Sequence, residues 1–433
     1  MDEGVLVEWN PWWNREVVFD FVERGLLDEV LKWVNRPEIV SLVGVRRSGK
    51  TTLMKLVIKH LLEEGVNRKN ILFIKADDDR VEKRGLIQEA IDSYKQLINP
   101  SGKIFVFIDE VQELEDWQVV LKRFYDLNEN FKFFVSGSNS SLLKEDLNNA
   151  LAGRIAYFEL FPFSFKEFLQ QKMVVKNKVD LIEKKEKVMH FLLEYLEFGG
   201  FPEIVLEKDK MISSKLLSFY YDTIIYRDVI KRRKIRSVAK IEKMINFYLQ
   251  NISSPVNFSK IGKNVGLTTD TVVEYTKFLQ DAYFLFYISL FDYSIKRQEI
   301  NPKKVYAIDT GLRNIKTLKF SQDRGKLVEN VVFLDLKRRQ NKGELRELFY
   351  WKDGQQFEVD FVIKKGLEIT QLVQVTAVSK KEELEERELR GLLKASDELS
   401  CDDLVVVTWD YEAKERVKDK EVSFVPLWKW LLS

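Results

Sequence analysis

The chain has 433 residues, 45% of them hydrophobic and 32% charged, with 19 Gly and 8 Pro, which calls for more than one core and excludes disordered, collagen-like and low-complexity proteins. One cysteine excludes a disulfide framework and two histidines exclude a Cys/His zinc site. Seventy basic against 68 acidic residues leave +2, so no global field marks a nucleic-acid or membrane partner.

Residues Val17–Val34 carry apolar side chains at helical spacing and predict an amphipathic helix. Short apolar runs follow at Ile39–Val43, Ile71–Ile74, Ile104–Ile108, Phe131–Val135 and Ile155–Leu160, separated by helical stretches. That alternation predicts a parallel sheet covered on both faces. From Phe163 to Leu249 the pattern is almost wholly helical, broken at Phe198-Gly199-Gly200-Phe201-Pro202. Val256–Leu290 reads as a compact helical unit with a glycine turn. After Asn301-Pro302, strand-like runs return at Val305–Ile308, Leu348–Trp351, Phe357–Ile363, Leu372–Val375 and Leu404–Thr408, and Lys380–Leu393 reads as a solvated helix.

The first apolar run leads into Gly44-Val45-Arg46-Arg47-Ser48-Gly49-Lys50-Thr51, which matches G-x-x-x-x-G-K-[ST] between a strand and a helix. Glycines let backbone amides turn inward around phosphate oxygens, and the new helix points its positive end at them. Lys50 suits the β- and γ-phosphates and the Thr51 hydroxyl suits Mg²⁺. Gly44, Arg47, Ser48, Gly49, Lys50, Thr51 and Thr52 are therefore the expected ATP-binding set. The third run ends in Asp109-Glu110. Paired carboxylates at the end of a buried strand are poor folding chemistry unless they serve a site. Asp109 is expected to hold Mg²⁺ through water and Glu110 to act as catalytic base. The fourth run ends in Ser136-Gly137-Ser138-Asn139-Ser140, where Ser136 is chosen to orient the attacking water, with Asn139 as runner-up. Arg154, just before the fifth run, is the candidate for stabilising charge on the transferring phosphoryl, in its own subunit or a neighbour. The Trp9-Asn10-Pro11-Trp12-Trp13 segment fits either a flank for adenine or a packing surface.

With these landmarks the chain resembles the archaeal and bacterial AAA+ P-loop ATPases that carry a restriction-endonuclease-like domain at the C-terminus. The resemblance rests on Gly44–Thr51, Asp109-Glu110-Val111-Gln112, Ser136-Gly137-Ser138 and Gly153-Arg154. It rests further on Phe161-Pro162-Phe163-Ser164-Phe165-Lys166-Glu167-Phe168, Gly199-Gly200-Phe201-Pro202-Glu203 and Tyr226-Arg227-Asp228. It implies ATP hydrolysis and assembly into homo-oligomers, often rings, and it suggests a winged helix in the small helical unit. There the second helix opens with Thr269, Asp270, Thr271 and Glu274, so tight major-groove reading is not expected. The run Lys231-Arg232-Arg233-Lys234-Ile235-Arg236 fits either a phosphate-tracking patch or a solvated helix face.

The resemblance also implies a nuclease-type cluster: an acid on a helix, Glu329; an aspartate on a strand, Asp360; and an acid or glutamine on the next strand, Gln374. Such a site needs a lysine two residues on, where this chain has Thr376; Lys364 and Lys365, at the neighbouring strand end, are the candidate substitutes. A degenerate, non-cleaving site is expected. The fold class is thus α/β: a P-loop NTPase parallel sheet core over 1–170, a helical lid over 171–248, a winged-helix-like unit over 249–300 and an endonuclease-like α/β domain over 301–433. No apolar run approaches bilayer length, and the start, Met1-Asp2-Glu3-Gly4-Val5, lacks the parts of a signal peptide, so a cytoplasmic location without membrane contact is expected. The partner classes left open are ATP and ADP with DNA, bound weakly or non-specifically, or with a protein. The function classes left open are a motor or remodelling ATPase, a slow nucleotide-dependent switch or scaffold, and an ATP-regulated DNA-binding protein with residual nuclease activity.

Overall fold

The five apolar runs of the first half become strands β1 (Ile39–Val43), β2 (Ile71–Lys75), β3 (Ile104–Asp109), β4 (Phe131–Gly137) and β5 (Ile155–Glu159). They form one parallel sheet in the order β2-β3-β4-β1-β5. Every residue of β1 and β3 is buried, as expected where helices cover both faces of a parallel sheet. The computed structural model describes residues 1–115, 117–127, 130–139, 151–317 and 323–433. They group into two units, Met1–Phe161 with Asp281–Tyr283, and Pro162–Gln280 with Phe284–Ser433.

In the first unit the helix expected over Val17–Val34 is reduced to Leu27–Leu31. The run Val17-Val18-Phe19 is β-branched and aromatic, which disfavours helix, and Arg24 spends its guanidinium on backbone carbonyls instead. It donates to Ser48 O at 2.7 Å and to Phe161 O at 2.8 Å. The tryptophan segment is buried against the edge strand β2. Trp12 and Trp13 both donate their indole N–H to Ile71 O, at 3.1 and 2.8 Å. Asn10 accepts from Phe73 N at 2.6 Å and donates to Phe73 O at 2.9 Å and Leu6 O at 2.8 Å. One side-chain amide thus completes a rung of the sheet that no strand supplies.

The second unit adds β6 (Pro255–Val256), β7 (Leu285–Leu290), β8 (Lys303–Ala307), β9 (Glu347–Lys352), β10 (Glu358–Lys365), β11 (Glu368–Val375), β12 (Leu404–Thr408), β13 (Ala413–Val417) and β14 (Lys420–Pro426). Among the described residues they form a mixed sheet in the order β13-β14-β12-β11-β10-β9-β7-β8-β6. Strand pairing runs across residue 300, because β8 pairs antiparallel with both β6 and β7 while β7 also pairs parallel with β9. The edge strand β13 was not legible in the sequence, since its Lys-Glu-Arg centre looks like a solvated turn. The helix read over Lys380–Leu393 spans Glu386–Leu399 and buries Leu392, Leu393, Ala395 and Leu399, so it is amphipathic rather than wholly solvated.

The family-like motifs of this unit are packing devices. Ser164 and Glu167 close a reciprocal capping box, Glu167 N donating to Ser164 Oγ at 3.2 Å and Ser164 N to Glu167 Oε2 at 2.8 Å. Gly199 and Gly200 admit Asp309, which accepts from Gly200 N at 2.7 Å; a Cβ on Gly199 would sit 2.0 Å from its carboxylate. Burial pushes Asp309 up to about 6, against three backbone N–H bonds that favour its charged form.

Replacing Asn10 with Ala leaves the Phe73 N–H and C=O buried without partners. Unfolding in urea should show a loss of about 2–4 kcal/mol, against less than about 1 for an exposed asparagine such as Asn264 replaced the same way.

Candidate active site

The phosphate-loop sequence turns at the carboxyl end of β1 and feeds the helix Lys50–Glu63. Gly44 is required by its neighbour strand: its φ is 154° and a Cβ would lie 2.1 Å from Leu160 O. Arg47 (φ 69°) and Gly49 (φ 97°) are left-handed and bend the loop into the helix. Arg24 grips the loop from outside through Ser48 O. Ser48 Oγ is buried and has no partner among the described residues, a hydroxyl left over inside the loop. The buried Lys50 ammonium donates to Gly44 O at 3.0 Å, Val45 O at 3.1 Å and Ser138 Oγ at 3.0 Å. Thr52 lies half-buried in the first helical turn, and Arg47 is exposed.

Because β4 lies between β1 and β3, its end brings serines between the loop and the carboxylates. Asp109 is buried; Thr51 Oγ1 donates to its Oδ2 at 2.7 Å and Ser136 Oγ donates to its Oδ1. Burial raises the Asp109 pKa, opposed by those two hydroxyls. Glu110 follows in a left-handed conformation (φ 55°), a strained backbone held by its N–H bond to Ser136 Oγ at 3.0 Å. Ser138 Oγ lies 3.0 and 3.1 Å from the two Glu110 carboxylate oxygens, and Gln112 Nε2 donates to one of them. Burial works to raise Glu110, but the Lys50 and Arg46 charges and these hydrogen bonds outweigh it, and its pKa is lowered. Glu110 is therefore ionised at neutral pH, as an acceptor for a water proton must be.

Lys50, Thr51, Asp109, Glu110 and Ser136 are thus brought together, as the sequence suggested. Ser136 differs in what it touches: it braces Asp109 and the Glu110 backbone. Ser138, outside the residues expected from sequence to act in the site, bridges Lys50 and Glu110. The signal was present in the period of two, which puts residues 136 and 138 on one side of an extended chain. Arg46, whose charge acts on Glu110, was also missed in favour of Arg47. Asn139 is buried, and Ser140 lies outside the described residues. Arg154 stands at the other end of the sheet. Its carbonyl accepts from Ile39 N at the start of β1, so roughly 16 Å of strand separate it from the loop. Its side chain pairs with Asp126 at 2.9 Å.

The second unit assembles the other cluster. Glu329 on the helix Arg324–Asn341, Asp360 on β10 and Gln374 on β11 are buried, and Gln374 Oε1 accepts from Asp360 N at 3.3 Å. Sequence reasoning missed Lys304 on β8, whose ammonium lies 3.1 Å from Glu329, 2.7 Å from Glu358 and 2.7 Å from Asp360. Tyr306 donates to Glu329 at 2.8 Å. Burial and the Asp360 charge raise Glu329, and burial raises Asp360 against the pull of Lys304. Thr376 hydrogen-bonds Glu388, which burial and Asp360 push up to about 7. Lys364 pairs instead with Glu347 at 2.6 Å. Of the basic run, Arg233 lies 4.9 Å over the Phe278 ring. Just before it, Thr223–Lys231 is π-helical and carries Tyr226-Arg227-Asp228.

Comparisons with known proteins match the chain in three segments. Residues 36–169 match the model of an AAA domain, residues 189–324 a domain of unknown function (DUF8612) and residues 324–430 another (DUF4143). An uncharacterised protein of Methanocaldococcus jannaschii is 34% identical, over 96% of this chain and 95% of its own. One from Haemophilus influenzae is 28% identical, over 93% of this chain and 96% of its own. A Thermotoga maritima RuvB structure, 17% identical over 64% of this chain and 93% of that one, superposes with a TM-score of only 0.32. No helix among the described residues is long and apolar enough to cross a membrane.

Folding raises the Asp109 pKa, so the folded chain binds that proton more tightly than the unfolded one. Its contribution to stability is present below the ordinary carboxylate range and lost as pH rises through the folded value. Asp109→Asn, without nucleotide, should therefore melt about 2–5 °C above the parent at pH 8 and lose most of that gain at pH 4. A gain that does not depend on pH would contradict this assignment of the buried charge.

Proposed function

We propose that this chain, which belongs to the AAA+ family of P-loop ATPases, binds Mg²⁺–ATP through residues 44–52 and hydrolyses it, with turnover governed by a macromolecular partner. The observation that carries this reading is the continuous path Lys50–Ser138–Glu110 beside the Thr51–Asp109 pair. The Thr51 hydroxyl and Asp109 carboxylate are adjacent hard oxygen donors, the kind Mg²⁺ takes from protein when phosphates supply the rest. When bound, the metal would neutralise phosphate charge. The chain's own residues do the remainder: Lys50 leaves its carbonyl partners for phosphate oxygens, and Ser48 offers its spare hydroxyl. Glu110 takes a proton from the attacking water once Ser138 and Gln112 release its carboxylate.

That restraint on Glu110 favours a second reading, a slow switch that a partner or the γ-phosphate must unlock. The acidic start of the helix Thr269–Asp281 argues for a protein partner over specific DNA reading; the helix–strand–helix–helix order of Val238–Asp281, followed by antiparallel β7 and β8 with the helix Ile295–Ile300 between them, supports a winged-helix-like unit. Arg154, at the opposite end of the sheet from its own loop, suits use on a neighbouring copy, which supports homo-oligomeric and ring assembly. Cleavage of DNA by the C-terminal domain is not expected, because Thr376 stands where the lysine is needed and the Lys304 charge is already engaged by Glu329, Glu358 and Asp360.

Steady-state turnover with Mg²⁺ tests the reading, measured with and without single- and double-stranded DNA. Glu110→Gln should lower kcat by roughly 10²–10⁴-fold with nucleotide binding retained. Ser138→Ala should lower kcat by roughly tenfold, with KM changed less than about threefold, as for a residue that positions rather than binds. Turnover that survives Glu110→Gln would sink the mechanism, and strong stimulation by DNA would replace the protein partner with DNA.

A further inference from the structure

The C-terminal cluster joins four elements around one nitrogen. Glu329 comes from the helix Arg324–Asn341, Glu358 and Asp360 from β10, Gln374 from β11 and Lys304 from β8. The Lys304 side chain is only 1% exposed, and its three carboxylate partners lie at 2.7, 2.7 and 3.1 Å. The cluster has the oxygen donors that Mg²⁺ or Mn²⁺ would take. It does not have the space, because the ammonium already stands between those oxygens. A divalent ion bonded to the same carboxylates at about 2.0–2.2 Å would face that ammonium at contact distance. Among the described residues, no group of three acids, histidines or cysteines is arranged to hold a metal.

We propose that Lys304 is a built-in cation standing where the endonuclease-like fold would carry its metal, and that removing it converts Glu329, Glu358 and Asp360 into a divalent-cation site. Three carboxylates packed together in a buried place require positive charge from some source. Lys304 supplies it from within the chain, and Lys352 adds a second contact to Glu358 at 3.1 Å. Two residues along the same strand, Tyr306 donates to Glu329 and stacks on Phe333 with centroids 4.1 Å apart, fixing the rim of the cluster. The inference goes beyond the nucleotide reading and does not depend on it.

The test uses the full chain without nucleotide, its Lys304→Ala and Lys304→Met variants, and each of these with Asp360→Asn. Melting temperature is followed in Mn²⁺ and luminescence in Tb³⁺ excited through tyrosine. The parent should show no cation response that depends on Asp360. Lys304→Ala should gain several degrees in about 1 mM Mn²⁺, together with a Tb³⁺ signal, and lose both when Asp360→Asn is added. Should Lys304→Ala not fold alone, Mn²⁺ should restore its folding, as metal binding and folding are then one equilibrium. An Asp360-dependent response in the parent would overturn the proposal. So would folded Lys304 variants indifferent to both cations, or variants that stay unfolded with Mn²⁺.

Discussion

A parallel sheet covered on both faces leaves charged groups one place to go, the ends of its strands. In the first unit that constraint gathers a lysine, two acids and three hydroxyls at the carboxyl ends of β1, β3 and β4, while the strands behind them are mostly apolar, Ser41 of β1 and Lys132 of β4 excepted. Strand order does the rest: with β4 seated between β1 and β3, Ser138 just past its end makes a short route from the loop lysine to the second acid. Hydrogen bonds in such a dry setting are strong when complete and expensive when broken. The strained left-handed turn at Glu110 persists because Ser136 and Ser138 hold its backbone and side chain at once.

What could be read from the sequence follows from the range over which each feature is determined. The phosphate loop, the strand ending in Asp109-Glu110 and the five apolar runs are local patterns, and the structure has them where the pattern put them. Val17–Val34 misled because its apolar spacing suits a helix, whereas the fate of Arg24 is decided by carbonyls at Ser48 and Phe161, far along the chain. Arg154 suits the arginine role by its charge and its neighbourhood in sequence. Position along a strand, which only the register of β1 against β5 reveals, puts it at the other end of the sheet.

The C-terminal cluster makes the same point more sharply. Glu329, Asp360 and Gln374 were found by resemblance, and they do meet. The residue that sets their charge state, Lys304, lies on β8, 25 residues before Glu329, and has no local signature. The lysine looked for near Thr376 is thus absent from that strand, and positive charge arrives from β8 instead. Likewise Gly199-Gly200 and Ser164-x-x-Glu167, the segments most telling of kinship, secure Asp309 and a helix start rather than a reaction. In these two segments the kinship signal marks packing, whereas in Gly44–Thr51 and Asp109-Glu110 it falls on the candidate site itself.

The Asn10 amide has a bearing on self-association. β2 is an outer strand of its sheet, and an outer strand offers backbone groups to any other chain that can lie alongside it. At Phe73 both groups are taken by one asparagine, and at Ile71 the carbonyl is taken by two indoles. The side chains that anchor the first thirteen residues thereby act as a stopper on the sheet. At these rungs a second copy of this chain finds no free backbone group with which to continue a β-ladder along β2.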